Sequence, residues 1–351
     1  MKKSLALLAL LSVMACGEEK KTETEAPKAA PTELAVYIWT NYHSPAAIAR
    51  FETEHNVKVT IDTYDNNEVI EQKLQSGTAP YDIVVPTDYM VKSLIKQDLL
   101  LPLDESKLTN LGNINPVLDR MKAEGKPRYS VPYLWGTTGL SYRTDKVEGE
   151  IDSWNTAFDP KYKGRIVMLD DVRETFGAAL RTMGKSINTT EPDAIEAAKK
   201  KLQAQKDLIL AYDSSDFAGK IAAGDGWVVQ GYSGELARVA RESNGTIRYI
   251  VPKEGGTLAT DNLAIPRASR NPELAHKFIN FMMDADIAAE TANVTGYATA
   301  NKAALAKVKP ELLNDPGVYP SDAVLANCET IEDLGEFMPT VDLAWTEVKA
   351  Q

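Results

Sequence analysis

Two cysteines, three histidines and no surplus of positive charge exclude several common chemistries from this 351-residue chain. Cys16 belongs to the N-terminal segment and leaves Cys328 without a partner, so no intramolecular disulfide is expected. Cys328 then reads as a buried small hydrophobe or a surface bystander. His43, His55 and His276 lack metal-ligand spacing and are expected on the surface. A net charge of −11 with no basic patch disfavours a nucleic-acid binder. Beyond the N-terminus no apolar run is long enough to cross a membrane, and no internal repeat is found.

Enzyme signatures are missing as well. The stretch 231–235 reads GYSGE and lacks the closing glycine of a nucleophile elbow. The run MGKS at 183–186 imitates the end of a phosphate-binding loop, but Ala179 stands where its first glycine belongs. Asp62, Asp65, Asn66 and Glu68 do not follow a calcium-loop pattern. A binder, with no catalytic residues, metal or cofactor, is the expectation.

What is present begins with a leader. Lys2 and Lys3 precede an apolar stretch over 5–14 that is too short for a mature transmembrane helix, and VMAC follows at 13–16. This order resembles a bacterial lipoprotein signal, with residues 1–15 removed and Cys16 lipidated. Residues 16–33 are polar, charge-mixed and rich in Pro and Ala, which predicts a flexible tether.

From Leu34 onward short β-type runs alternate with helical stretches, which predicts an α/β fold with a mainly parallel sheet flanked by helices. The remaining length is enough for two core-bearing domains. Ser44 and Pro45 open the first helix, the alternating 57–64 reads as a half-buried strand, and Asn67 is the expected cap of a helix over 67–75. Further helices are predicted over 174–183, 193–205, 217–223, 235–242, 271–283, 285–292 and 301–308, with Asp170 or Asp171 capping the first of these. The long run 131–142 and the stretches 256–261 and 262–266 read as extended segments crossing between two lobes.

Five apolar runs end in rings or acids: LAVYIWTNY (34–42), DIVVPTDY (82–89), IVMLDDVRE (166–174), WVVQGYSGE (227–235) and GTLATD (256–261). Ligands of α/β sheets sit beyond the carboxyl ends of strands, so these groups face a common crevice. Arg173 is the only base among them. Rings and carboxylates together suit an organic cation, whose amines pair with acids while its methylenes lie on ring faces.

These residues, with VPYLWG at 131–136, VPKEGG at 251–256 and TGY at 295–297, resemble the polyamine-binding proteins of bacterial ABC transporters over nearly the whole mature chain. The resemblance implies a two-lobed type II periplasmic binding protein. Each lobe would be a mainly parallel sheet flanked by helices, with two crossover strands at the hinge. Lobe 1 would be 34–137 with 259–305, and lobe 2 would be 138–258 with 306–351. It implies ligand contacts from Trp39, Tyr42, Thr87, Tyr89, Asp171, Glu174, Tyr232, Glu235, Asp261 and Tyr297. Asn41 stands where the family often has an acid, and Asp88 is expected to supply that charge. Ala259 replaces a usual aromatic ring, and Met338 falls near an expected polar contact. The implied function is a monomeric, lipid-anchored receptor at the periplasmic or cell-surface side of the membrane. It would capture spermidine or putrescine and deliver it to ABC permease subunits. A polyamine sensor partnering a membrane signalling protein, or a receptor for another small cationic solute, are the alternatives.

Overall fold

The computed structural model describes residues 32–77, 81–122 and 125–350; the signal and Cys16 lie outside them. Strand β1 (Thr32–Trp39) takes in the last two residues of the expected tether, because Thr32 and Glu33 already pair in parallel with β2 (Val57–Tyr64). In β2, buried Val57 and Val59 alternate with exposed Lys58 and Thr60, as an edge strand with one covered face requires. Between them α1 (Pro45–His55) opens as expected. The Ser44 hydroxyl accepts from the Ala47 N–H and Pro45 sits where no N–H is needed. Phe51 on this helix is fully buried and meets Phe278 and Phe281 edge-on.

The cap of α2 (Asn67–Gln75) is Asn66, not Asn67: its Oδ1 accepts from the Val69 N–H at 3.1 Å. Asn67 is buried and spends its amide elsewhere, holding the turn between β3 (Ile83–Val84) and α3 (Asp88–Lys96). The chain then runs through β4 (Ser130–Arg143), a 14-residue strand. It pairs with β9 (Leu258–Ala264) over 130–137, and with β7 (Val228–Tyr232) and β8 (Ile247–Ile250) over 138–143. At Gly139 a Cβ would stand 2.2 Å from the Ile250 carbonyl oxygen, so only glycine lets three strands meet there.

Beyond this crossing lie β5 (Ile166–Met168), α4 (Val172–Arg181), α5 (Pro192–Ala204), β6 (Ile209–Tyr212), α6 (Phe217–Ala223) and α7 (Ser233–Glu242). Strand β9 brings the chain back to β3 as one continuous strand rather than two, which puts Asp261 in mid-strand. Then follow α8 (Pro272–Met282), α9 (Ala285–Thr295), β10 (Ala298–Thr299), α10 (Pro310–Leu313), α11 (Asp322–Leu325) and α12 (Met338–Lys349). The helix expected over 301–308 is a 3-10 turn, Lys302–Lys307.

The strand order is β2-β1-β3-β9-β4-β7-β5-β6, with β8 and β10 also on β4. Pairing is parallel at both outer parts, β2-β1-β3 and β7-β5-β6, and antiparallel wherever β4 or β9 takes part. The sheet is therefore mixed, because each crossing strand runs against its neighbours on both sides. Helix α12 closes the second half, Trp345 lying edge-on to Phe176 and Tyr212.

The surface position expected for His276 fails. His276 is buried and not on the surface: its Nε2 accepts from the Asp104 N–H at 2.9 Å, which requires a neutral ring with Nδ1–H directed at the Pro272 carbonyl. Cys328 is half-buried beside the cluster around Trp135 and Val318, its thiol pushed up by burial.

Candidate functional site: an acidic, ring-lined cleft

The strand ends converge on one cleft of about 790 Å³ of space outside the protein atoms, its open mouth included. Trp39 ends β1, donating its indole N–H to the Val85 carbonyl at 2.9 Å and tilting against Tyr64 at 4.6 Å. Tyr42 follows in the loop, edge-on to Tyr297 at 4.8 Å. Its hydroxyl donates to Asp261 Oδ2 at 2.6 Å, while Thr87 donates to Oδ1 at 2.7 Å. Tyr89 donates to Glu68 at 3.2 Å and accepts from Asn67.

From the second half, Asp171 is the true N-cap of α4, accepting from the N–H groups of Arg173 and Glu174 at 2.9 and 3.0 Å. Glu174, one helical turn in, accepts from the hydroxyls of Thr138 at 2.9 Å and Thr257 at 2.7 Å. Tyr232 ends β7 edge-on to Phe217, and Glu235 lies in the first turn of α7. Ser233 is not a cap there; its hydroxyl accepts from the Thr137 N–H across the crossing.

Ten of the eleven expected contact residues thus line this one cleft. Asp88 does not. Asp88 stands one residue past Thr87, and its Oδ1 accepts from Asn262 at 2.7 Å while its Oδ2 is buried with no partner. Met338 begins α12 and does not line the cleft, where Ile331 does. Sequence reasoning also missed Thr40, Tyr64, Asp65, Asn67, Gly136, Thr137, Thr138, Ser214 and Ser215. The strand-end rule would have found Tyr64 and Asp65 after β2 and the serines after β6. Nothing in the chain marks Ile331.

The electrostatics are one-sided. Asp65, Asp171, Glu174, Glu235 and Asp261 line the cleft, and among the described residues no lysine, arginine or histidine does. Burial, reinforced by the Asp171 charge, pushes Glu174 up to about 8. Burial likewise raises Glu235 to about 7, Asp261 to about 6 and, behind Tyr89, Glu68 to about 7. Asp171 is also raised by burial, against the pull of its two backbone donors. Buried carboxylates short of a counter-ion are costly to ionise, so this cleft favours anything that brings positive charge.

A family model for bacterial extracellular solute-binding proteins matches residues 46–320. The chain belongs to that family. These are solute-binding proteins of transporters, not enzymes. This solute-binding protein is 36% identical over 319 residues to the spermidine/putrescine-binding periplasmic protein of Escherichia coli, covering 90% of this chain and 91% of that one. It is 34% identical to the putrescine/cadaverine-binding protein of Pseudomonas aeruginosa, covering 97% and 98%. Its fold matches a putative spermidine/putrescine ABC transporter structure from Listeria monocytogenes with a TM-score of 0.86, at 35% identity over 91% of this chain and 99% of that one. The TpPotD lipoprotein of Treponema pallidum superposes with a TM-score of 0.80 at 29% identity, covering 91% and 100%. The two-lobed type II binding-protein fold therefore stands. Relatives of this chain work in the periplasm or outside the cell, and no described helix is long and apolar enough to cross a membrane.

Proposed function

We propose that this protein captures a linear polyamine in the cleft and delivers it to the permease of an ABC importer while held to the membrane by a lipid on Cys16. The observation that carries the reading is the wall of the cleft, which among the described residues holds five carboxylates, six aromatic rings and no cationic side chain. Aliphatic amines resemble lysine, with pKa about 10, so a polyamine enters fully charged at neutral pH. Asp171, Glu174 and Asp261 pair with its ammonium groups, with Glu235 in support. Trp39, Tyr42, Tyr89, Tyr232 and Tyr297 pack its methylenes, and Thr87 orients Asp261. The moving bodies are 34–137 with 259–305, and 138–258 with 306–351, hinged on β4 and β9. Closing buries those charges favourably only when a cation is between them, so the ligand selects the closed state. The receptor works as a monomer.

The test is calorimetry on the soluble chain starting near residue 33, titrated with putrescine, cadaverine, spermidine and spermine. One-to-one binding is expected, weakened by at least about tenfold in Asp261→Asn. No heat from any of the four, on folded protein free of co-purified ligand, would sink the polyamine reading. Lipidation is checked by mass spectrometry of the membrane fraction, which should lose the protein on Cys16→Ser.

A further inference from the structure

Arg173 is the one base among the strand endings, and the proposed function leaves it unused. It stands on α4 between Asp171 and Glu174, yet it is buried and does not line the cleft. Its guanidinium donates only to neutral oxygens. Nη1 reaches the Glu332 carbonyl at 2.7 Å, and Nη2 reaches the Asn188 side-chain oxygen at 2.9 Å and the Ile187 carbonyl at 3.3 Å. Among the described residues no carboxylate pairs with it directly. A buried charge without a paired counter-ion is costly, so its surroundings must offset it.

Two sets of neighbours do so. The first is the strap 329–333 between α11 and α12. Asn188 donates its amide to the Thr330 carbonyl at 2.9 Å and accepts from the Glu332 N–H at 2.8 Å. Arg173 and Asn188 thus clamp the strap whose Ile331 lines the cleft. Arg120 holds the same strap at the Thr330 hydroxyl, 2.7 Å away, and Lys96 holds it at Asp333, 2.6 Å away. The second set is charge. The guanidinium feels Asp171 and Glu174 on its own helix, Glu68 on α2 and the Tyr89 hydroxyl on α3, and its charge reaches Asp333 and Asp342. Asp333 is matched by Lys96, and Asp170 by Lys349 at 2.8 Å. Asp171 and Glu174 have no such partner, and the arginine pulls both toward the carboxylate form against the burial that raises them.

We infer that Arg173 is a positioning residue for this acid pair: its fixed positive charge favours the carboxylate forms of Asp171 and Glu174, and its hydrogen bonds hold the strap that seats Ile331 in the cleft wall. The inference rests on the polyamine reading. Two carboxylates in one helical turn resist being ionised together. An arginine keeps its charge at any working pH and lowers that resistance without entering the cleft. The same charge repels an incoming ammonium. That ammonium, on the cleft side of the acids, is farther from the guanidinium than they are, so near neutral pH the first effect prevails. At alkaline pH the pair is ionised with or without Arg173, and only the repulsion is left.

The experiment follows spermidine affinity by calorimetry between about pH 6 and about pH 9 for the wild-type protein, Arg173→Gln and Arg173→Lys, with melting curves to show that each is folded. Arg173→Gln is expected to bind about tenfold more weakly than the wild type near about pH 6.5 and within about twofold of it near about pH 9. Arg173→Lys keeps the charge and loses the forked contacts to the strap, so its profile should run parallel to the wild type at lower affinity. A loss in Arg173→Gln that is the same at every pH would leave Arg173 a purely structural clamp and overturn the inference. Tighter binding in that variant throughout would make the charge a repulsion alone and overturn it too. The lysine variant refutes independently, should the glutamine variant not fold: a loss confined to low pH, with the charge retained, overturns the inference. Each of these outcomes leaves polyamine binding by the wild type intact. Silence of the wild type toward every polyamine overturns the receptor reading and this inference with it.

Discussion

Glu174 carries the clearest single-residue consequence of the cleft. Its carboxyl holds a proton up to about 8 in the folded, ligand-free protein, against 4.5 for an unperturbed glutamate. Between those values the folded state binds more protons than the unfolded one, so stability falls as pH rises through the window. Glu235 and Asp261 act in the same direction with smaller shifts. Glu174→Gln is therefore expected to raise the midpoint of thermal unfolding at pH 8 by a few degrees and to flatten its fall between about pH 5 and 8. The same variant should lose polyamine affinity. Melting curves over that pH range check the first outcome; a steeper fall in the variant would refute the assigned proton. Sequence reasoning reached Glu174 because it lies just past a strand end. It could not reach the two threonine hydroxyls that hold it, since Thr138 and Thr257 are 36 and 83 residues away.

Neighbouring asparagines divide the labour at the scale of an element. Asn66 caps α2, and Asn67 ties that helix to the β3–α3 turn through the Thr87 N–H at 3.2 Å and the hydroxyls of Thr87 and Tyr89. Asn66→Ala should cost about 1 kcal/mol of stability and leave ligand affinity unchanged. Asn67→Ala should cost affinity as well, because Thr87 and Tyr89 lose their shared anchor. Urea unfolding beside calorimetry on the two variants separates the roles, and equal affinities would refute the division. From the chain alone Asn66 and Asn67 are equivalent caps. The choice between them belongs to the partner from α3, which takes one amide and leaves the other for the helix end. Helix α1 posed no such choice: Phe51 faces the core and Ser44 caps. Phe51→Ala is expected to cost about 3–5 kcal/mol through the cavity left against Phe278 and Phe281, read by the same unfolding assay.

For the whole molecule, the proposed capture of a polyamine between two halves makes ligand and closure one equilibrium. Adding a bound polyamine at a hundredfold excess over its Kd should stabilise the fold by about 2.7 kcal/mol. It should also reduce the radius of gyration measured by small-angle scattering. An unchanged radius on saturation would remove the hinged closure while leaving binding intact.

Local pattern alone is enough for the alternation of strands and helices, the strand-end positions of most rings and acids, and the acidic character of the cleft. Each of these follows from local periodicity and side-chain chemistry. The tertiary structure decided the rest. It turned Asp88 away from the cleft and joined two short extended stretches into β9. It made the sheet mixed at the crossing, buried His276, and brought Ser215 to Asp65 across the cleft. Those outcomes depend on which distant strands are neighbours. That pairing is set by the packing of the whole sheet, and no local pattern encodes it.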